Sequence, residues 1–137
     1  MRHVFVYGTL RAGEVNDISR AAERHGIAAP QLLGAAALAG RLYDLGRYPG
    51  MIATEGGPDL VWGDVYAIDE RLVPVLDEIE QVYPGDDGLF AAREASVQLG
   101  GRCYACLFYP VAERVAADTL RIASGDWVQY RRERAAA

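Results

Sequence analysis

The run Val4-Phe5-Val6-Tyr7, which ends at Gly8, is the feature that most constrains how this chain folds. β-branched and aromatic residues are typical of strands, so the run predicts a buried β-strand. Gly8 has no Cβ, which allows backbone N–H groups at the turn to approach a ligand closely. The segment therefore predicts a strand that delivers a glycine turn to the edge of a sheet, an arrangement that presents backbone donors to anions.

The composition bounds the class of protein. The 137 residues predict one domain, which we place over residues 1–130, followed by a frayed tail over residues 131–137. A net charge of −5 argues against non-specific nucleic-acid binding, which needs a basic surface. No apolar run approaches the roughly 20 residues of a membrane span, and no targeting segment is recognisable, so we expect a cytoplasmic protein without membrane partners. The chain has no lysine, which excludes Schiff-base chemistry and a phosphate-loop lysine.

Short strands and short helices alternate along the chain and predict an α+β fold with a mixed or curled sheet. The predicted helices cover residues 18–25 (capped by Asn16 or Asp17), 69–80 and 111–122. The predicted strands cover residues 32–38 and 40–45 (two strands, or one bent at Gly40), 60–68, and a hairpin of 90–99 with 102–109 across Gly100-Gly101. Residues 81–88 and 124–127 are predicted to be loop and turn.

A helical wheel over Leu72–Glu80 singles out Glu80 as a candidate acid/base. At about 100° per residue, Glu80 falls within the arc of Leu72, Val73 and Leu76, whereas Asp77 and Glu78 fall outside it. One interpretation is a helix that has frayed by residue 80, leaving the carboxylate in solvent. The other is a partly buried carboxylate whose pKa is raised by desolvation, as general acids and bases require.

Other chemically reactive side chains give weak patterns. Cys103 and Cys106 match a C-x-x-C spacing but lie in a predicted strand, where residues three apart face opposite sides, so we interpret them as buried structural thiols. His3 and His25 are isolated, and nothing has the spacing of metal ligands, so no metal site is predicted. The three serines lack the context of a nucleophile.

Several motifs resemble the γ-glutamylcyclotransferase-like family, in particular its small bacterial members of the γ-glutamylamine cyclotransferase type. The resemblance rests on Phe5-Val6-Tyr7-Gly8-Thr9-Leu10-Arg11 and on Leu76-Asp77-Glu78-Ile79-Glu80. Three further segments fall in the expected order and spacing: Tyr48-Pro49-Gly50, Gly63-Asp64-Val65-Tyr66 and Gly125-Asp126-Trp127. Together these motifs span nearly the whole chain.

The resemblance implies a curled, barrel-like mixed sheet with flanking short helices, and no cofactor. It implies that Tyr7, Gly8, Thr9 and Leu10 hold the substrate and that Glu80 is the general acid/base. The expected reaction is the release of 5-oxoproline from a γ-glutamyl amine or peptide, as the α-amine attacks the γ-carbonyl of the same molecule. One departure concerns substrate choice, because the family's Tyr-x-Arg pattern is replaced here by Phe90-Ala91-Ala92-Arg93.

Two alternatives to a general cyclotransferase stay open. One is a non-catalytic small-molecule binding module on the same fold. The other is an enzyme that removes a γ-glutamyl tag within a biosynthetic pathway. The sequence fixes neither the leaving amine nor the oligomeric state.

Overall fold

A mixed sheet that curls into a half-barrel organises the protein, with short helices beside it. The structure, a computed structural model, describes residues 2–82 and 92–136, without the side chains of 80–82 and 136. The strands are β1 (Arg2–Val6), β2 (Gln31–Asp44), β3 (Pro49–Ala53), β4 (Leu60–Ile68), β5 (Arg93–Leu99), β6 (Arg102–Phe108) and β7 (Leu120–Ile122). The helices are α1 (Ile18–Arg24), α2 (Val73–Val82), α3 (Glu113–Ala116) and α4 (Trp127–Ala136).

The strand order is β3-β2-β4-β1-β6-β5, and β7 also pairs with β2. Only the β1–β6 pair is parallel among the described strands, and the others are antiparallel. The sheet curls far enough to bring β5 back against β2, since a Cβ built on Gly34 would lie 3.3 Å from a methyl group of Leu99. The predicted α+β class and curled mixed sheet are therefore confirmed.

Strand β1 is buried on both faces of the sheet, which explains its unbroken apolar run. Val4 and Val6 belong to a core cluster with residues of α1 and α2, whereas Phe5 and Tyr7 belong to the cluster inside the half-barrel. All four side chains are at most 6% exposed. A strand in the middle of a sheet and covered on both faces has no position for a polar side chain. The predicted strand is confirmed, with Tyr7 just beyond its last paired residue.

Strand β2 is one long bent strand, the second of the two predicted possibilities. It pairs with β4 up to Ala39, and from Gly40 onwards it pairs with β3. A side chain at Gly40 would not fit the bend, because a Cβ there would lie 2.7 Å from the carbonyl oxygen of Ile52. The bend at Gly40 turns β3 towards the end of β1.

The caps of the first two predicted helices form as the sequence indicates. Asp17 is the N-cap of α1, and its carboxylate accepts a 2.9 Å hydrogen bond from the N–H of Ser19. Asp69 caps a single 3₁₀ turn, Glu70–Leu72, which leads directly into α2. Helix α2 therefore begins within one residue of Pro74, where proline costs no internal helical hydrogen bond.

The hairpin of β5 and β6 forms across Gly100-Gly101, as predicted. Both glycines have positive φ, 59° and 80°, which a tight turn of this hand requires. Cys103 and Cys106 point to opposite faces, but only Cys106 is buried, so the prediction that both thiols are buried is wrong. Burial raises the pKa of the Cys106 thiol from 9.0 to about 11.

Near the carboxyl end, the structure differs from the sequence-based predictions for residues 111–122 and 131–136. The helix predicted over residues 111–122 is wrong beyond α3, because Asp118 adopts a positive φ of 65° and residues 120–122 pair with β2. Residues 131–136, part of the predicted tail, continue helix α4. Residues 83–91 lie outside the described part of the chain. Most of the loop predicted over 81–88 and the start of the strand predicted over 90–99 fall within them.

Candidate active site

A pocket opens where the end of β1 meets the start of β3 and the end of β6. Its walls enclose about 450 Å³ of empty space, including the mouth open to solvent. The lining residues are Phe5, Val6, Tyr7, Gly8, Thr9, Leu10, Tyr48, Pro49, Ile79 and Tyr109. Thus the structure brings the four residues expected to hold the substrate, Tyr7 to Leu10, together in one pocket.

Tyr7 joins three strands at the base of this pocket. Its hydroxyl donates a 2.7 Å hydrogen bond to the carbonyl oxygen of Tyr109 and accepts one of 3.1 Å from the N–H of Met51. Both bonds are buried. The phenol therefore fixes the ends of β1, β3 and β6 relative to one another, while its ring forms part of the wall.

The segment Gly8–Leu10, which we call the donor loop, forms part of the lining of the pocket. Its three carbonyl oxygens accept hydrogen bonds of 3.0, 2.9 and 3.1 Å from the N–H groups of Arg11, Asn16 and Ile18, respectively. The loop's own N–H groups meet no acceptor among the described residues. A peptide plane holds each N–H opposite the preceding carbonyl. The bonded carbonyls therefore fix the directions in which the N–H groups of Thr9 and Leu10 point.

Gly8 has a steric role as well as a possible contact with a ligand. A Cβ on Gly8 would lie 2.7 Å from Cγ and 2.9 Å from Cδ of Pro49. Real Cβ atoms essentially never come so close to another carbon, and a proline ring cannot swing away as a flexible side chain would. Consequently the pocket can form only if residue 8 has no side chain.

Helix α2 supplies the opposite wall through Ile79. Leu72 and Leu76 are fully buried and Glu78 is exposed, as the helical wheel predicts. Glu80 follows Ile79 in the last turns of α2, but its side chain lies outside the described part of the structure. Whether that carboxylate points into the pocket stays a prediction from the sequence.

Asp77 is a site neighbour that sequence reasoning missed. The wheel puts it outside the apolar arc, yet it is half-buried and accepts a 2.5 Å hydrogen bond from the hydroxyl of Tyr109. Residues three apart on a helix are neighbours, so the wheel position of Asp77, about 60° from that of Glu80, was the available signal. Tyr109 had no such signal, because it reaches α2 from 32 residues away.

A buried cluster of charges lies behind the donor loop. The guanidinium of Arg11 contacts the carboxylates of Asp64 at 3.3 Å and Asp126 at 3.1 Å. Beside it, burial and the charges of Asp64 and Asp17 raise the pKa of the Tyr66 hydroxyl from 10.0 to about 12. All of these residues except Asp17 occur in the motifs quoted above, but no local pattern indicates that they meet.

The described residues contain neither a group of metal ligands nor a helix that could span a membrane. Within residues 2–82 and 92–136, no three His, Cys, Asp or Glu side chains are grouped closely enough to hold a metal ion. No helix in these ranges has the length and apolar character needed to cross a bilayer.

Comparison with known proteins connects this chain to one family of enzymes. The sequence model described as "Gamma-glutamyl cyclotransferase, AIG2-like" matches residues 4–129. Gamma-L-glutamyl-butirosin B gamma-glutamyl cyclotransferase of Niallia circulans is 36% identical over 138 residues, covering 98% of this chain and 81% of that protein. Bovine (Bos taurus) gamma-glutamylaminecyclotransferase is 38% identical over 87 residues, which cover 56% of this chain and 47% of that protein.

Among solved structures, an AIG2-like protein from Mus musculus has the same fold. The two superpose with a TM-score of 0.73 at 22% sequence identity, over 90% of this chain and 86% of the mouse protein. At that identity, the likeness shows the fold alone.

Proposed function

The chain belongs to the gamma-glutamyl cyclotransferase, AIG2-like family of enzymes, and from that premise we propose which residues act on its γ-glutamyl substrate. In this proposal the donor loop holds the substrate and Glu80 is the general acid/base. The observation that carries it is the geometry of the pocket. The donor loop, whose carbonyl oxygens are held by hydrogen bonds, lines the same pocket as Ile79, the neighbour of Glu80.

Binding is assigned to the loop because its donors suit an anion. The N–H groups of Gly8, Thr9 and Leu10 hydrogen-bond the α-carboxylate of the glutamyl group, in the manner of other backbone anion sites. Such dipoles act locally, so a protein of net charge −5 still binds an anionic substrate. The ring of Tyr7 and the side chain of Ile79 flank the glutamyl methylenes. The chain is thereby held folded, with its amine close to its γ-carbonyl.

The proposed reaction needs no nucleophile from the protein. Glu80 takes a proton from the α-ammonium, and the free amine attacks the γ-carbonyl carbon to give a tetrahedral oxyanion. The carbonyl re-forms as the bond from that carbon to the departing nitrogen breaks. Glu80 returns its proton to this nitrogen, and the ring nitrogen releases its second proton to water, so that 5-oxoproline and a neutral amine leave. The carboxylate ends the cycle in its starting state.

Glu80→Gln tests this assignment, with Glu78→Gln as its matched control. The glutamine keeps the size and polarity of Glu80 but cannot transfer a proton, a contribution typically worth about 10²–10⁴-fold in rate. We expect kcat to fall by that factor with little change in KM, and one limb of the pH profile of kcat/KM to disappear. Glu78 is exposed on the same helix, so its substitution should leave both constants unchanged. A Glu80→Gln enzyme within threefold of the wild type would contradict the mechanism.

The similarity to the butirosin enzyme bears on which γ-glutamyl compound is the substrate. That relative acts, by its name, on γ-L-glutamyl-butirosin B, and it matches 98% of this chain. We therefore propose that the leaving amine belongs to a γ-glutamylated natural product. Mass spectrometry of 5-oxoproline release should compare γ-glutamyl aminoglycosides with γ-glutamyl amino acids, isopeptides and polyamines. Faster release from the small amino-acid derivatives would contradict this choice. Binding without any 5-oxoproline release would favour the non-catalytic module.

A further inference from the structure

The donor loop depends for its shape on the residues that follow it. Its carbonyl oxygens are held by N–H groups from Arg11 to Ile18, so a displacement of that stretch rotates the loop's peptide planes. At the end of this stretch Ile18 is fully buried in the core, but between Arg11 and Asp17 the one large hydrophobic side chain, Val15, is 68% exposed. This middle part is held against the protein by charged side chains, Arg11 and Glu14.

Arg11 is the first of two anchors. Its side chain is only 12% exposed and lies between Asp64 of β4 and Asp126, which precedes α4. Asp64 also accepts a 3.1 Å hydrogen bond from the N–H of Ala12, so the backbone is fixed beside the side chain. Asp126 in turn accepts a 3.1 Å hydrogen bond from the N–H of Gln129 in the first turn of α4. The anchor is therefore continuous from the loop into the helix.

Glu14 is the second anchor. Its side chain is 4% exposed, and it accepts two hydrogen bonds, of 2.9 and 2.7 Å, from Nε and Nη2 of Arg131 on α4. A carboxylate so buried is stable only while its counter-charge stays in place. Arg131 is itself half-exposed, at 48%. The surface helix α4 therefore supplies the counter-charge for Glu14, which lies in the stretch that follows the donor loop.

We propose that helix α4 is a positioning element for substrate binding, because Asp126–Arg11 and Glu14–Arg131 hold the residues that set the donor loop. This inference rests on the proposed function, which assigns substrate binding to that loop. No residue of α4 lines the pocket, so the helix acts through the loop and touches no substrate. The surface of α4 thereby controls affinity for the γ-glutamyl group.

The same helix provides a matched control for this proposal. Arg134 lies three residues after Arg131 and forms an ion pair of equal length, 2.7 Å, with Asp44. The side chain of Asp44 is 8% exposed, so this carboxylate is also buried. Asp44, however, belongs to β2, and its partners among the described residues lie outside the donor loop: besides Arg134 it accepts hydrogen bonds of 2.7 Å from the hydroxyl of Tyr130 and from the N–H of Gly46. Replacing either arginine removes one buried ion pair, but only one of the replacements releases the loop.

The experiment compares Arg131→Met and Arg134→Met. Without Arg131, Glu14 must move towards water and carry residues 11–16 with it. We expect KM for a γ-glutamyl substrate to rise by about tenfold in Arg131→Met, with kcat changed by less than about threefold, because the loop's hold on the carboxylate is the same in the substrate and the transition state. Arg134→Met should lower the melting temperature by less, because Asp44 keeps its hydrogen bonds from Tyr130 and Gly46, and it should leave KM unchanged. Glu14→Gln should reproduce the rise in KM.

Hydrogen–deuterium exchange gives a readout that does not depend on turnover. The amides of residues 11–18 donate the bonds that hold the loop, so Arg131→Met should accelerate their exchange and Arg134→Met should not. Equal KM and equal exchange in the two variants would overturn the role of α4. If the wild type releases no 5-oxoproline, the proposed function fails, and the exchange contrast alone decides whether α4 holds the loop.

Discussion

Gly8 packs directly against the ring of Pro49 in the lining of the pocket, and this contact shows what a single residue contributes to it. The sequence predicts that Gly8 lets a ligand approach the backbone, and that stays a prediction; the structure adds a separate steric reason for a glycine there, the ring of Pro49. That partner could not be found locally, because it comes from the other side of a bent strand. The same limit explains why Arg11 and Glu14 were missed, since their partners on or beside α4 lie 115 and 117 residues away.

At this scale we predict a coupled pair of substitutions. Gly8→Ala should destabilise the protein by about 1–3 kcal/mol, the usual cost of overpacking, and raise KM. Pro49→Ala removes the two ring atoms that the new methyl group would meet. Gly8→Ala should therefore cost much less stability in the Pro49→Ala background. Urea unfolding of the four proteins in this double-mutant cycle measures the coupling. Equal costs in both backgrounds would mean that the two residues do not limit each other.

Elements whose ends carry strong local signals were predictable, and those defined by distant pairing were not. Asp17 and Asp69 mark helix starts, and Gly100-Gly101 marks a hairpin, by chemistry within a few residues. Residues 120–122 have helical neighbours in sequence but form β7, because β2 offers them a strand to pair with. Tertiary pairing outweighs helix propensity, which differs by less than about 1 kcal/mol per residue. The transition depends on Asp118, whose φ is positive.

Asp118 therefore offers a test at the scale of an element. Glycine adopts positive φ without the steric cost that an L side chain bears there. We expect Asp118→Gly to stabilise the protein by up to about 1 kcal/mol and Asp118→Val to destabilise it by at least that amount. The midpoint of urea unfolding measures both. A more stable valine variant would show that the α3–β7 turn does not have this conformation.

For the whole molecule, the fold class was predictable, but the curling of the sheet that brings β5 against β2 was not. Motifs in a fixed order led to the α+β curled sheet, and the burial of β1 on both faces followed from its apolar run. The contact of β5 with β2 depends on the twist of the sheet, which no short segment records. The sequence suggested a single domain that ends near residue 130; we propose a single domain that also includes Arg131 and Arg134 of α4, because both pair with buried carboxylates.

The absence of lysine makes the alkaline behaviour of the whole protein easy to interpret. The pKa of Cys106 is raised to about 11 and that of Tyr66 to about 12, both chiefly by burial. The unfolded chain loses these protons near pH 9 and 10, before the folded protein does. The two protonated groups therefore contribute fully to the stability of the fold below pH 9, and this contribution is lost as the pH rises towards 12.

We expect the free energy of unfolding to fall steadily between pH 9 and 11. Guanidinium unfolding at several pH values measures the slope, and Cys106→Ala should flatten it at the lower end. Tyr66→Phe should flatten it at the upper end. A stability that stays constant over this range would contradict the assigned pKa shifts.

The ion pairs that join Arg11 and Glu14 to Asp126 and Arg131 also affect when a newly made chain can complete its substrate site. Translation at about 5–20 residues per second separates the synthesis of Arg11 from that of Asp126 by on the order of ten seconds. During that interval β1 can already find β4, but Glu14 has no counter-charge and the loop is unsecured. A nascent chain can thus build most of its sheet on the ribosome while its substrate site is still immature. If α4 holds the donor loop as proposed, the substrate site is completed only after α4 has been made and has docked.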